Sequence, residues 1–188
     1  MVLLIFVALR KRFSLILIAV VFLLVCRAGL VMGMPIKPVV PDRQTDLLVV
    51  TDSLQYLEDK QSRLTADDVL APKNPLAFVN NGLSALNFGY TDSTYWVRFR
   101  IDNPHEIEFN WVLEVAYAPL DFVDVYILDD NGVEEMFAGD TSPFSSRDIA
   151  FPTAAFFFET QPKQTQWVYL RVRSSSSMQI PINLWNQK

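Results

Sequence analysis

Apolar and polar side chains alternate strictly in two segments of the chain, residues 95–102 and 167–173. Successive side chains of a β-strand point to opposite faces, so a period of two predicts two half-buried strands. In each segment one face is apolar, and the other carries an aromatic ring followed by arginines. These second faces contain Trp96, Arg98 and Arg100 in the first segment, and Trp167, Tyr169, Arg171 and Arg173 in the second. The two strands could share a sheet, which would place all of these side chains on one surface.

Short segments with strand-like patterns follow one another through most of the remaining chain. Further strands are predicted at residues 47–51, 86–88, 111–116, 122–128, 133–138, 154–159 and 179–184. Asp130-Asn131-Gly132 predicts a hairpin turn, because Asn-Gly accepts positive φ at both central positions. One short helix is predicted at 65–71, with Thr65 as its N-cap and Pro72 after its end. About eight short strands separated by turns are typical of an antiparallel β-sandwich, so the predicted fold class is all-β.

The beginning of the chain resembles an export signal. Arg10-Lys11-Arg12 precedes an apolar run at 13–25, which has the length of a signal-peptide core and falls short of the roughly 20 residues of a membrane span. Cleavage after Ala28 or Gly33 and retention as an uncleaved anchor both fit this segment. The predicted division of the chain is a signal peptide or membrane anchor at 1–33, a proline-rich linker at 34–45, and an extracytoplasmic domain at 46–186.

Charge and composition narrow the classes of function. Beyond the N-terminal segment, 12 Lys and Arg stand against 21 Asp and Glu, a net charge of −9, which makes nucleic acid and anionic lipid poor partners. The single cysteine, Cys26, and the single histidine, His105 in a predicted turn, argue against a zinc site and against Ser-His or Cys-His catalysis. Six glycines provide little material for a nucleotide-binding loop. We therefore expect no cofactor, no metal and no catalytic residues.

The aromatic and arginine surface is the candidate ligand site. Sugars stack on Trp and Tyr rings while planar polar groups bond their hydroxyls, and arginine binds a carboxylate or phosphate in bidentate fashion. The candidate residues are Trp96, Arg98, Arg100, Glu114, Arg147, Trp167, Tyr169 and Arg171, with Asp124 and Tyr126 expected nearby. The alternative is a solvated face whose arginine stems cover the rings as ordinary cross-strand pairs. For Arg147, in the loop 139–152, the alternative is an ion pair with Asp140 or Asp148.

Several short motifs occur in an order that is typical of one family. They are Tyr56-Leu57-Glu58-Asp59, Asn87-Phe88-Gly89-Tyr90, Tyr95-Trp96-Val97-Arg98-Phe99 with Asn103, Leu120-Asp121, Gly139-Asp140 with Pro143-Phe144 and Arg147, Tyr169-Leu170-Arg171-Val172, and Pro181-Ile182-Asn183-Leu184-Trp185. In this order they resemble the second type of extracellular domain of bacterial seven-transmembrane receptors with diverse intracellular signalling modules. The similarity spans roughly residues 45–185.

This resemblance implies a jelly-roll-like β-sandwich, similar to carbohydrate-binding modules, outside the cytoplasmic membrane. In the family the domain precedes seven membrane helices and an output module, whereas this sequence stops at Lys188. We expect either a truncated receptor or a domain that acts alone or with a separate membrane-embedded signalling partner. We expect a non-enzymatic periplasmic sensory domain that binds a carbohydrate-like or acidic small ligand. The alternatives are a structural or protein-interaction module without a small ligand and, ranked below both, a carbohydrate-active enzyme.

Overall fold

Twelve β-strands and one short α-helix make up the part of the chain that the computed structural model describes, residues 36–71, 76–82, 85–141, 149 and 151–187. These residues belong to one compact unit, Met34–Lys188. The elements are β1 (Leu47–Val49), β2 (Gln55–Asp59), α1 (Ala66–Leu70), β3 (Val79–Asn80), β4 (Leu86–Tyr90), β5 (Thr94–Asp102), β6 (Phe109–Val115), β7 (Phe122–Asp129), β8 (Gly132–Ala138), β9 (Ala154–Thr160), β10 (Thr165–Arg173), β11 (Ser177–Ile180) and β12 (Ile182–Gln187). The predicted export signal, Cys26 and Arg147 lie outside the described residues.

The strands form two main antiparallel sheets and a small third one. The larger sheet has the order β3-β2-β5-β10-β7-β8, the smaller has the order β1-β12-β6-β9, and β11 pairs with β4. The chain passes directly from one main sheet to the other five times, between β1 and β2, β5 and β6, β6 and β7, β8 and β9, and β9 and β10. The connections of the chain therefore tie the two sheets together, as in Greek-key sandwiches.

The core lies between the two main sheets. Val97, Phe99 and Ile101 of β5 and Val168, Leu170 and Val172 of β10 are fully buried there, as the alternating pattern predicted. The smaller sheet contributes Trp111, Leu113, Phe156 and Leu184 to the same cluster. Burial of large side chains from both inner faces is the dominant stabilising term in such a fold. The predicted antiparallel β-sandwich is confirmed.

The cap of α1 and the hairpin between β7 and β8 were both predicted, but the turn of the hairpin differs in its geometry. Thr65 caps α1 as predicted, and the Thr65 and Asp68 side chains form a reciprocal capping box. The hairpin between β7 and β8 is also present, but it is closed by the pair Asp129–Gly132. Its central residues are thus Asp130 and Asn131, and positive φ occurs at Gly132 alone in this turn, so the predicted Asn-Gly geometry was wrong.

Two strand predictions need correction because local patterns do not reveal every pairing partner. The strands β2 and β3 were missed, although β2 pairs with the central strand β5. The segment predicted at 179–184 is divided into β11 and β12 at Pro181, because proline has no backbone N–H to donate to a sheet ladder.

His105 is exposed in a turn, as expected, and its Nε2 lies 3.1 Å from the carbonyl oxygen of Pro41.

Gly139 follows β8 at a point where its backbone passes close to the backbone of Asp121. Its φ is +142°, and a Cβ atom on this residue would overlap the carbonyl group of Asp121. Both the conformation and the missing space therefore require glycine.

Substitution of Gly139 by alanine should destabilise the fold by more than about 1 kcal/mol, because alanine is strained at this φ and clashes with backbone atoms that cannot move aside. The measurement is chemical denaturation at neutral pH. Gly82→Ala is the matched control, since a Cβ there meets nothing within 4 Å. Equal stability of the two variants would contradict this account.

Candidate functional site

Strands β5 and β10 are direct neighbours, so the aromatic and arginine residues of both share one surface of the larger sheet. Tyr169 lies opposite Arg98, Arg171 opposite Trp96, and Trp167 opposite Arg100. On its other side β10 pairs with β7, which places Asp124 opposite Arg171 and Tyr126 opposite Tyr169. We call this outer surface of the larger sheet the arginine face, defined by Trp96, Arg98, Arg100, Asp124, Tyr126, Trp167, Tyr169 and Arg171.

The aromatic rings of the arginine face are covered by a second hydrophobic cluster. Val69 of α1 is fully buried against Trp96, Tyr126 and Tyr169, and Leu64, Leu70, Leu76 and Phe78 pack around them. Trp96 has no exposed surface, and its ring stacks on Tyr126 with a centroid distance of 5.9 Å. The Trp96 indole Nε1 is buried and has no hydrogen-bond partner within the described part of the chain. Trp96 therefore acts in packing here, and its ring is not open to a ligand.

Arg98 is half-buried at the edge of this cover. Its guanidinium carbon lies 3.9 Å from the centroid of the Phe78 ring and 5.2 Å from that of Trp167. Its Nε donates to Oε1 of Gln55 at 2.8 Å. Desolvation lowers the pKa of Arg98, and the interaction of its guanidinium with the Tyr169 hydroxyl offsets only part of this decrease. Among the described residues no carboxylate lies within ion-pair distance of Arg98, so two rings and an amide hold a cation that lacks a counter-charge.

The other arginines of the face have acidic neighbours. Arg100 pairs with Asp102 at 2.8 Å, and Arg171 lies 3.9 Å from Asp124. Desolvation raises the pKa of Asp124, and the positive charges of Arg171 and Arg173 offset only part of this increase. Arg173 packs over Phe122 at 4.3 Å. Beside these groups is a cavity of about 150 Å³ lined by Phe122, Asp124, Arg171 and Arg173. The side chains of Arg100 and Arg171 keep 33% and 30% of their surface exposed, so cationic groups of this face meet solvent, together with the edge of Trp167 and the ring of Phe122.

A protein-family model, 7TMR-DISM extracellular 2, matches residues 51–186, which include both main sheets almost completely. The chain belongs to this family. It is therefore an extracellular sensory domain of the receptor type, and the family is not one defined by an enzymatic activity. No curated protein matches the chain. The resemblance seen in the sequence motifs is confirmed.

The candidate residues of this 7TMR-DISM extracellular domain do not all lie together. Trp96, Arg98, Arg100, Trp167, Tyr169 and Arg171 share the arginine face, and Asp124 and Tyr126 lie there as expected. Glu114 does not, because β6 belongs to the smaller sheet. Arg147 lies outside the described residues, so its role stays a prediction.

Sequence analysis missed several residues that shape the arginine face. Gln55 and Phe78 orient Arg98, yet neither stands in an arginine-bearing segment. The sequence did contain one signal for this cover, namely the capped helix that begins after Thr65. Its apolar residues Val69 and Leu70 had to pack against some other surface of the protein.

In the described part of the chain, no helix has both the length and the apolar character to cross a membrane. No group of His, Cys, Asp or Glu residues suited to a metal ion occurs in that part either.

Glu114 is the acceptor at the centre of a hydrogen-bond network on the smaller sheet. Its Oε2 accepts from Nδ2 of Asn183 and from Nε1 of Trp185, both at 3.0 Å. Its Oε1 accepts from Oγ1 of Thr153 at 3.0 Å. Desolvation alone would raise the pKa of Glu114, but these three donors outweigh it and hold the pKa below its ordinary value. The carboxylate thus stays ionised and fixes the Trp185 ring.

Replacement of Glu114 by alanine should cost about 1–3 kcal/mol at neutral pH, because three donors lose their acceptor. The folded pKa lies below the ordinary value of 4.5, so this stabilisation is present above pH 4.5 and is lost as the pH falls through the folded pKa. Melting curves should therefore show the gap between wild type and Glu114→Ala narrowing from pH 7 toward acid.

Glu159→Ala is the control on the same sheet, because Glu159 is exposed and its carboxylate accepts a long hydrogen bond of 3.4 Å from Gln161, whereas its bond from Gln166 goes to the backbone carbonyl and is kept in alanine. It should change stability by less than about 0.5 kcal/mol. A gap for Glu114→Ala that widens in acid, or equal effects of the two variants, would refute the network as described.

Proposed function

We propose that this domain senses a small acidic ligand at the arginine face and that Arg98 is its principal recognition residue. The single observation that supports this most is the half-buried Arg98 guanidinium, which has two aromatic neighbours and no carboxylate within ion-pair distance among the described residues. A ligand carboxylate would supply the missing counter-charge in bidentate geometry. Membership in a family of receptor extracellular domains supports a sensory role.

An acidic ligand fits the arginine face better than a carbohydrate does. Stacking of a sugar requires an open ring face, but Trp96 is fully buried, Tyr169 is 6% exposed, and the partly exposed Trp167 ring already has the Arg98 guanidinium 5.2 Å from its centroid. The guanidinium groups of Arg100 and Arg171 remain partly exposed beside Arg98. The chain as a whole is acidic, with a net charge of −5, yet short-range pairing with Arg98 dominates at contact because solvent and salt screen the distant charges.

The ligand signal has to reach the membrane in a receptor of this family. We propose that residues 1–33 export or anchor the domain, that 46–186 form the sensory unit, and that a membrane-embedded signalling partner receives the signal. Val39, within the predicted linker 34–45, forms a parallel bridge with Ile101 of β5. This contact supports a linker that is attached to the central strand of the larger sheet.

The proposal predicts that at least one small carboxylate raises the melting temperature of the full chain, with acetate, succinate, citrate and glucuronate as the probes. Arg98→Met should abolish the shift because the methionine keeps the packing volume and removes the charge. Raising the salt concentration from about 0.05 to 0.5 M should weaken binding of the wild type, since part of the attraction is ionic. Titration calorimetry measures both effects.

Two further variants make this test specific. Arg43→Met removes an exposed arginine outside the arginine face and should leave the shift unchanged. Arg98→Lys keeps the charge but loses the planar fork, so it should bind more weakly than wild type and more tightly than Arg98→Met. No shift with any carboxylate, or equal losses in Arg98→Met and Arg43→Met, would favour the structural or protein-interaction alternative.

A further inference from the structure

The strand β8 forms an open edge of the larger sheet. It is the last strand in the order of that sheet, and among the described residues no strand pairs with the side of β8 that faces away from β7. The β7–β8 hairpin is closed by the pair Asp129–Gly132, and the hydrogen-bonded positions of an antiparallel ladder alternate along each strand. The even-numbered residues of β8 therefore bond to β7, whereas the backbone groups of Val133, Glu135 and Phe137 face the open edge. Such an edge is a template for pairing with a further strand.

The outer side of this edge carries two apolar side chains that solvent reaches. Phe137 is 55% exposed and Val133 is 44% exposed. Glu135 lies between them on the same face, because side chains alternate along a strand. In strand addition the main chain supplies hydrogen bonds, and alternate side chains of the edge select the residues of the partner. The outer side of β8 is therefore suited to apolar residues of an added strand.

The hairpin that contains this edge is strongly acidic. Residues 122–138 include five carboxylates and no lysine or arginine. Asp124 has Arg171 as its neighbour, but among the described residues no cation lies within ion-pair distance of Glu134 or Glu135. Like charges that face each other across paired strands are destabilising. This disfavours pairing of β8 with β8 of a second copy, which would bring two acidic hairpins together, and it favours a basic partner.

A cleft of about 500 Å³ lies beside the same edge, between the hairpin and β9 of the smaller sheet. Because β9 is the last strand of its own sheet, the sandwich is open on this side. Asp129, Glu134 and Glu159 line the cleft together with the buried Ile127 and Phe158, and the described lining contains no lysine or arginine. Side chains of a strand added to β8 would point alternately to the outer surface and into this cleft. Those that point into the cleft would meet carboxylates.

We propose that the open edge of β8 binds an extended, basic segment of a partner protein, which adds antiparallel to the larger sheet as a further strand. Apolar side chains of the segment contact Val133 and Phe137 on the outer surface. Its lysine or arginine side chains enter the cleft toward Glu134 and Glu159. This interaction does not depend on the acidic ligand proposed for the arginine face, because the two surfaces require partners of opposite charge.

The test is titration of the full chain, in mild detergent, with a fluorescent peptide of about nine alternating lysine and valine residues, the length of a long strand. The peptide should bind, and fluorescence anisotropy gives its dissociation constant. Glu134→Lys should weaken binding at least about fivefold, because an attractive pair becomes a like-charge contact. Phe137→Ser should weaken binding at least about threefold, since it removes a cross-strand apolar contact.

Asp52→Lys is the matched control for the charge reversal. Asp52 is exposed and lies outside the hairpin, and its replacement changes the net charge by the same amount. It should change the dissociation constant by less than about twofold, because solvent and salt screen distant charges. Arg98→Met should also leave peptide binding unchanged, which separates this edge from the arginine face. Melting curves should show that Glu134→Lys stays folded, since Glu134 is exposed.

N-methylated peptides test the backbone pairing without any change to the protein. In the antiparallel arrangement the valine N–H groups face β8 and the lysine N–H groups face away from it. Methylation of the valine nitrogens should therefore abolish binding, and methylation of the lysine nitrogens should retain it.

Several outcomes would overturn the proposal. They are no binding of the parent peptide at about 1 mM, equal binding or the opposite ranking of the two N-methylated peptides, equal losses in Glu134→Lys and Asp52→Lys, and equally tight binding of a peptide of alternating glutamate and valine. A dimer of the free chain that Phe137→Ser dissociates, measured by sedimentation, would also overturn it, because a second copy would then occupy the edge.

Discussion

The pairing of β5 with β10 is the interaction on which the rest of the structure depends. These two strands form the centre of the larger sheet, and each carries buried side chains on both of its faces. Antiparallel sheets commonly leave one face in water, but here Trp96 and Tyr169 point away from the main core and need cover of their own. Helix α1 and Phe78 supply that cover. The short helix thus exists where it does because an aromatic row lies on the outer surface of the sheet.

The two sheets divide the chemistry of the domain between them. Every arginine that lies in a described strand belongs to β5 or β10 of the larger sheet, whereas the strands of the smaller sheet contain none. On the larger sheet Trp96 and Tyr169 are covered while cationic groups and the rings of Phe122 and Phe137 reach solvent; on the smaller sheet Trp185 and Phe157 are exposed among amides. The outer surfaces of the two sheets therefore differ in the chemical groups that they present to solvent.

Prediction from the sequence was strongest where one local pattern decided the outcome. Alternation marked Val97, Phe99, Val168 and Leu170 as inward-facing, and Thr65 marked the start of α1, because strand periodicity and capping depend on residues close in sequence. Prediction was weakest where a contact between segments distant in sequence decided the local structure. The strand β2 has no marked alternation and is held by its pairing with β5, and Arg98 obtains its neighbours Gln55 and Phe78 from separate segments.

The sequence by itself therefore determined the fold class, the buried faces of the central strands and the family of extracellular receptor domains. The period of two placed Trp96 and Arg98 on one face of their strand, but the tertiary structure decided that this strand pairs with β10 and so brings Tyr169 to the same surface. Tertiary structure alone decided which of these groups meets solvent. Cover by α1 removed Trp96 from the surface and left Arg98 at its edge, and sheet assignment placed Glu114 beside Trp185 instead. Burial depends on packing between distant segments, and no local pattern contains that information.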